Sequence, residues 1–155
     1  MKQNDYDEAL ASFWNSFGSG RHMVLSTAFG DRVSSRMMSV VNIDGCLYFQ
    51  TFRTSRKYEQ LKKNAHVALC CDNIQIEGSA EESGHPLDNL ASCTAFREKY
   101  PSSYDYYTSL ECEVLYRVRV SRIERWVYKD GRPFLEVFDT ERKIHTVEEQ
   151  EYRHR

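Results

Sequence analysis

The chain has 155 residues, 41% hydrophobic and 28% charged, with only 7 Gly and 3 Pro. This suffices for one domain with a core and excludes collagen-like, low-complexity and disordered readings. The 21 Lys and Arg against 23 Asp and Glu leave a net charge of -2, so a general polyanion binder is excluded and any basic site must be local. No apolar run approaches the roughly 20 residues of a membrane span, and the opening MKQNDYDEAL lacks the apolar stretch of a signal peptide. A single cytoplasmic domain over 1–155, with no membrane or nucleic-acid partner, is expected.

Asp5 to Phe17 reads as an amphipathic helix, because Leu10, Phe13, Trp14 and Phe17 recur at helical spacing before Gly18 and Gly20 end it. Such a stripe packs on the body of a domain or docks a partner. From His22 the pattern is β: HMVLSTA, a turn at Gly30 and Asp31, RVSSRMMSVVN, a turn at Asp44 and Gly45, then CLYFQTF. The Asp-Gly pair between two strand-like runs marks a hairpin. TSRKYEQLKKN is helical, capped by Thr54 or Ser55, with Tyr58 and Leu61 inward. The strands HVALCC and NIQIEGSAE follow.

A second helix is expected from Pro86, with Leu87, Leu90, Ala91 and Thr94 on its inner face and Pro101 as its stop; SSYDYYTS then reads as a loop. In CEVLYRVRVSRIERWVY, Val114, Tyr116, Val118 and Val120 share one face while Ile123 and Val127 fall on the other, which predicts a bulge near Ser121. A short strand around Phe134 to Phe138 follows Gly131, and the charged segment 141–155 reads as a frayed tail or peripheral helix. Short antiparallel strands interrupted by helices indicate a mainly β architecture with peripheral helices, a barrel or sandwich.

Cys46, Cys70, Cys71, Cys93 and Cys112 are odd in number and form no CxxC, so reduced thiols are expected. The five histidines form no HxH or HExxH, and no metal is expected. Chemistry concentrates in TFRTSRK, Thr51 to Lys57, where a strand passes into a helix. A helix N-terminus attracts anions, and cations in its first turn oppose the dipole unless an anion lies between them. Arg56 and Lys57 therefore point to a phosphate, and hairpin pairing can bring Arg36 to the same group. Solvated surface cations are the alternative reading. For Met37 and Met38 the alternative is core filling, since one of two neighbouring strand residues faces inward.

VSSRMMSVVN, DGCLYFQT, TSRKYEQLKKNAHVAL and NIQIEGSAE, in this order and spacing between Met23 and Glu81, resemble the pyridoxamine 5'-phosphate oxidase-like FMN-binding split-barrel proteins, in particular their small members such as general stress proteins. The resemblance implies an antiparallel Greek-key split β-barrel that forms a homodimer with FMN at the interface. It implies that Arg36, Ser55, Arg56 and Lys57 hold the phosphate, that Met37, Met38 and Ser39 face the flavin ring, and that Gln50 and Thr51 line its near side. Asn73 stands where the oxidases carry a glutamine, and RIERW nominates Trp126 to reach the partner's flavin, with an ordinary barrel tryptophan as the alternative. In GRPFLEV, Arg132 matches one arginine of the oxidases' substrate signature, but Phe134 replaces a histidine and Glu136 an arginine, which points away from pyridoxamine phosphate. The implied function is an FMN-dependent oxidoreductase of unknown substrate, with NAD(P)H as a possible electron donor. Alternatives are a flavin-storage or stress-sensing module, a deazaflavin in place of FMN, or a haem-binding split barrel using His22, His66 or His145.

Overall fold

The structure, a computed structural model, describes residues 3–151. In chain order these form α1 (Gln3–Phe17), β1 (Gly20–Phe29), β2 (Arg32–Ile43), β3 (Cys46–Phe52), α2 (Arg56–Lys63), β4 (His66–Cys71) and β5 (Ile74–Glu82). A 3-10 turn at Pro86–Asp88 leads to α3 (Leu90–Lys99) and α4 (Pro101–Ser103), followed by a π turn at Tyr104–Thr108. β6 (Glu113–Lys129), β7 (Arg132–Asp139) and β8 (Ile144–Glu149) complete the described chain. Strand order is β3-β2-β1-β4-β5-β6-β7-β8, and β3 also pairs with β6. That last pairing closes a six-stranded antiparallel barrel and leaves β7 and β8 as an outer extension.

Local chemistry sets these elements. Asp44 and Gly45 have φ of 51° and 81°, the left-handed pair that a tight hairpin between β2 and β3 requires. In β6 the expected bulge is present: Glu77 pairs with Arg122 but Gly78 with Val120, so Ser121 is the extra residue, and its hydroxyl donates to the Glu77 carbonyl at 3.2 Å. Before the bulge β6 runs between β3 and β5; after it, between β5 and β7. One extra residue thus turns the strand's inner face and splits the barrel wall.

The barrel core is built from Met23, Leu25, Leu47, Phe49, Ile76 and Ile123, with no solvent exposure. α1 packs across β7, where the Phe13 and Phe138 rings lie 5.7 Å apart, so its apolar stripe belongs to the core; Leu10 and Trp14 are half-buried. A second cluster of Val41, Phe96, Tyr100 and Leu115 seats α3 on β2 and β6, and the Tyr100 hydroxyl donates to the Val40 carbonyl at 2.7 Å.

Three expectations are corrected. α3 begins at Leu90, capped by Asn89 whose side chain accepts from Ser92 N. The later start rotates the helix so that Ser92, Cys93 and Phe96 are buried, while Leu87, Leu90, Ala91 and Thr94 are exposed. α3 does end before Pro101, with Tyr100 as its non-helical C-cap, but the tyrosine-rich stretch that follows α4 is a π turn, not a loop. Within 141–155, Ile144–Glu149 forms β8 on the edge of β7; it is neither frayed nor helical. Met1, Lys2 and residues 152–155, including His154, lie outside the described residues.

Candidate functional site

Where β3 ends, Ser55 adopts an extended conformation and its side chain accepts from Tyr58 N at 3.2 Å, capping α2. Thr51 Oγ1 and Ser55 Oγ lie 3.1 Å apart, so both hydroxyls sit at the helix entrance with Arg56 and Lys57 in its first turn. β2 supplies Arg36. Its Nη1 donates to the Leu25 carbonyl at 3.1 Å and to Thr27 Oγ1 at 2.9 Å, and its Nη2 to Gln60 Oε1 at 3.2 Å. Gln60, buried on α2, also accepts from Thr27 at 2.6 Å and donates to Ser34 Oγ at 3.1 Å. α2 is therefore fastened to β1 and β2 through Arg36, which positions its N-terminus.

Burial, and then the neighbouring Arg56 charge, lower the Arg36 pKa. Burial, and then Arg36, lower the Lys57 pKa, with Glu113 opposing. The Arg56 charge thus adds to the cost of Arg36, and Arg36 to that of Lys57 in the first turn of α2. Among the described residues none of the three forms an ion pair within 4.0 Å.

Beside them lies a cavity of ≈ 190 Å³. It brings together six residues that the resemblance assigned to the flavin: Met37, Met38 and Ser39 of β2, Gln50 and Thr51 of β3, and Lys57 of α2. Met37 is 62% exposed, whereas Met38 is half-buried against the core, so strand parity gives core filling to Met38 alone. Sequence reasoning missed the other wall, where Phe52, Phe96, Ser103, Tyr104 and Tyr107 line the cavity together with Glu113. Glu113 is only 3% exposed. Burial pushes its carboxyl up to about 7, against the pull of Lys57 and His85.

Asn73 and Trp126 are placed elsewhere. Asn73 Nδ2 donates to the Trp126 carbonyl at 2.6 Å, and both residues line a separate cavity of ≈ 150 Å³ by the β4–β5 turn. Within one chain the two cavities share no lining residue. The Trp126 side chain is not that of a buried barrel tryptophan, since the residue is 40% exposed. In the GRPFLEV stretch, Arg132 reaches Glu149 at 3.5 Å, and Glu136 is held by Arg125 at 2.6 Å and His145 at 3.0 Å. A larger groove of ≈ 400 Å³ beside Gly78 and Ser121 has only His66 and Glu77 as ionisable lining residues, so it offers an anion no lysine or arginine. Among the described residues no group of three His, Cys, Asp or Glu is placed to hold a metal, and no helix is long and apolar enough to cross a membrane.

The closed barrel, its outer strands and this placement of α2 define the fold of the FMN-binding split barrels. A pyridoxamine 5'-phosphate oxidase-related, FMN-binding protein of Nostoc punctiforme superposes with a TM-score of 0.61 at 13% identity, over 95% of this chain and 97% of that one. General stress protein 26 of Bacillus anthracis does so with a TM-score of 0.58 at 21% identity, over 73% and 89%. A heme-binding protein of Mycobacterium smegmatis shares the fold with a TM-score of 0.63 at 15% identity, over 91% of this chain and 59% of that one. No family model and no curated protein matches the sequence.

Proposed function

We propose that this chain is a pyridoxamine 5'-phosphate oxidase-like flavoprotein that binds FMN as a homodimer and acts as an oxidoreductase. The observation that carries the reading is the gathering of Arg36, Arg56 and Lys57 at the N-terminus of α2 without an acidic partner within ion-pair distance. A phosphate monoester fits that donor set, because it brings the two negative charges the three cations lack and accepts the bare N–H groups of the first helical turn. Arg36 has three N–H bonds committed to Leu25, Thr27 and Gln60, so its charge is fixed beside α2 and only its remaining N–H groups are left for a phosphate.

FMN supplies the hydride and electron chemistry when bound; the protein supplies binding, orientation and electrostatics. Met37 presents an exposed, polarisable side chain to a ring lying on β2, and Thr51 and Ser55 add hydroxyl donors at the phosphate end. Phe52, Tyr104 and Tyr107 give the cavity between β3 and the π turn an aromatic wall, the Phe52 and Tyr107 rings lying 5.7 Å apart. A cavity of ≈ 190 Å³ is smaller than the roughly 300–1,000 Å³ of sites that enclose drug-sized ligands, which supports completion by a second copy of the chain. Trp126, exposed beside the separate ≈ 150 Å³ cavity, is then the residue offered to the partner's flavin. A haem reading has less support: the His22 ring packs edge-on against Tyr100 at 5.1 Å, and His145 is engaged by Glu136 and stacked on Phe138 at 4.4 Å, which leaves His66, in the ≈ 400 Å³ groove, for an axial ligand.

The test is the double variant Arg56→Ala, Lys57→Ala. Removing both charge-assisted bonds to the phosphate weakens FMN binding by about 100-fold or more, read by fluorescence titration. Unchanged affinity in a folded double variant contradicts the phosphate assignment.

A further inference from the structure

Every group that holds the Arg36 guanidinium is neutral. Nη1 donates to the Leu25 carbonyl at 3.1 Å and to Thr27 Oγ1 at 2.9 Å, and Nη2 donates to Gln60 Oε1 at 3.2 Å. The Thr27 hydroxyl in turn donates to Gln60 Oε1 at 2.6 Å, so these two acceptors stand side by side and match the end of the guanidinium fork. Gln60 Nε2 donates to Ser34 Oγ at 3.1 Å, which fixes the amide with its oxygen toward Arg36. Leu25 takes the other Nη1 hydrogen. Among the described residues the N–H groups left without a partner are Nε–H and the second Nη2–H, and these run parallel along one edge of the planar guanidinium.

Thr27 and Gln60 are 2% and 6% exposed, so they act on a ligand only through Arg36. Gln60 follows Arg56 by four residues, which sets both on one face of α2 a turn apart, and the Arg56 charge is felt at Arg36. The free edge of Arg36 therefore belongs to the same corner as the first turn of α2. A carboxylate in place of the Gln60 amide would hold the guanidinium as firmly but neutralise it, whereas neutral acceptors leave the full charge for an anion. We propose that Thr27 and Gln60 are positioning residues of the phosphate site: they grip the end of Arg36 so that its Nε–Nη2 edge, with its charge unneutralised, is presented to two oxygens of a phosphate monoester. Two parallel N–H donors match two such oxygens. The proposal rests on the flavin reading for the identity of the monoester and adds to it how Arg36 is aimed.

The experiment is fluorescence titration of the full chain with FMN and with riboflavin, the same ring without the phosphate, for wild type, Gln60→Glu, Thr27→Val and Thr27→Ser. Gln60→Glu keeps the shape of the side chain and an oxygen on Arg36 but neutralises its charge. Its FMN affinity falls about tenfold or more, while its riboflavin affinity is unchanged; a merely structural Gln60 would move the two flavins together. Thr27→Val, which keeps the side-chain volume, frees one side of the fork and lowers FMN affinity about tenfold, and it gives the same test should Gln60→Glu fail to fold. Thr27→Ser restores the hydroxyl and binds FMN as the wild type does. Wild-type FMN affinity in Gln60→Glu and Thr27→Val, or a loss that riboflavin shares equally, overturns the proposal. If the Arg56→Ala, Lys57→Ala double variant loses FMN while Gln60→Glu and Thr27→Val do not, the positioning role fails and the flavin reading stands. If the wild type takes up no FMN, or none of the variants changes its affinity, both fail.

Discussion

Replacing Glu113 by glutamine removes a titrating carboxyl while keeping its shape, and the pH dependence of stability then isolates what burial does to that group. In the folded chain the carboxyl holds its proton up to about 7, against 4.5 for the ordinary group. Between those values the folded state keeps a proton that the unfolded state has released, so stability falls as pH rises through the window and is level above it. At about 1.4 kcal/mol per unit, a carboxyl raised from 4.5 to about 7 costs on the order of 3 kcal/mol of stability at neutral pH relative to pH 4. The assay is urea unfolding of wild type and Glu113→Gln from about pH 4 to 8, with the difference between the two plotted so that other titrating groups cancel. The variant should gain on the wild type across the window, because its amide never ionises. A difference that stays flat refutes the reasoning: burial then does not hold the Glu113 carboxyl above its ordinary value.

Two further outcomes follow from the geometry. A Cβ on Gly78 lies 2.3 Å from the Arg119 carbonyl oxygen and 3.0 Å from Val118 Cγ1, so Gly78→Ala lowers stability by about 1–3 kcal/mol; an unchanged urea midpoint removes the close approach at the bulge. Trp126→Ala leaves the urea midpoint nearly unchanged, because the ring is largely outside the core, but shifts the bound-flavin spectrum or lowers its affinity in the dimer. Loss of stability with no flavin effect places that ring in packing instead.

Much of the fold was legible because strands and hairpins announce themselves locally. The change of parity between Val120 and Ile123 encodes the bulge at Ser121, and Ser55 caps α2 as the sequence indicates. α3 was misread because Leu87 and Leu90 look like a core stripe, whereas the cap at Asn89 starts the helix three residues past Pro86 and turns Ser92, Cys93 and Phe96 inward. β8 was hidden by its charges, which an edge strand exposed on both faces tolerates. The α2 cation cluster was visible as a violation of the usual charge order along a helix. Glu113 was not, because a lone acidic residue at a strand start has no signature until β3–β6 pairing sets it diagonally across from Gln50.

The central claim is that the cations of α2 and the cavity beside them form a flavin site. The most direct measurement is the visible absorption spectrum of the purified protein after FMN is added and the excess removed by gel filtration, with the bound chromophore identified by mass. The account predicts a flavin band at one FMN per chain, eluting with a dimer. A protein that stays colourless in the presence of FMN, or that arrives with a Soret band, contradicts it.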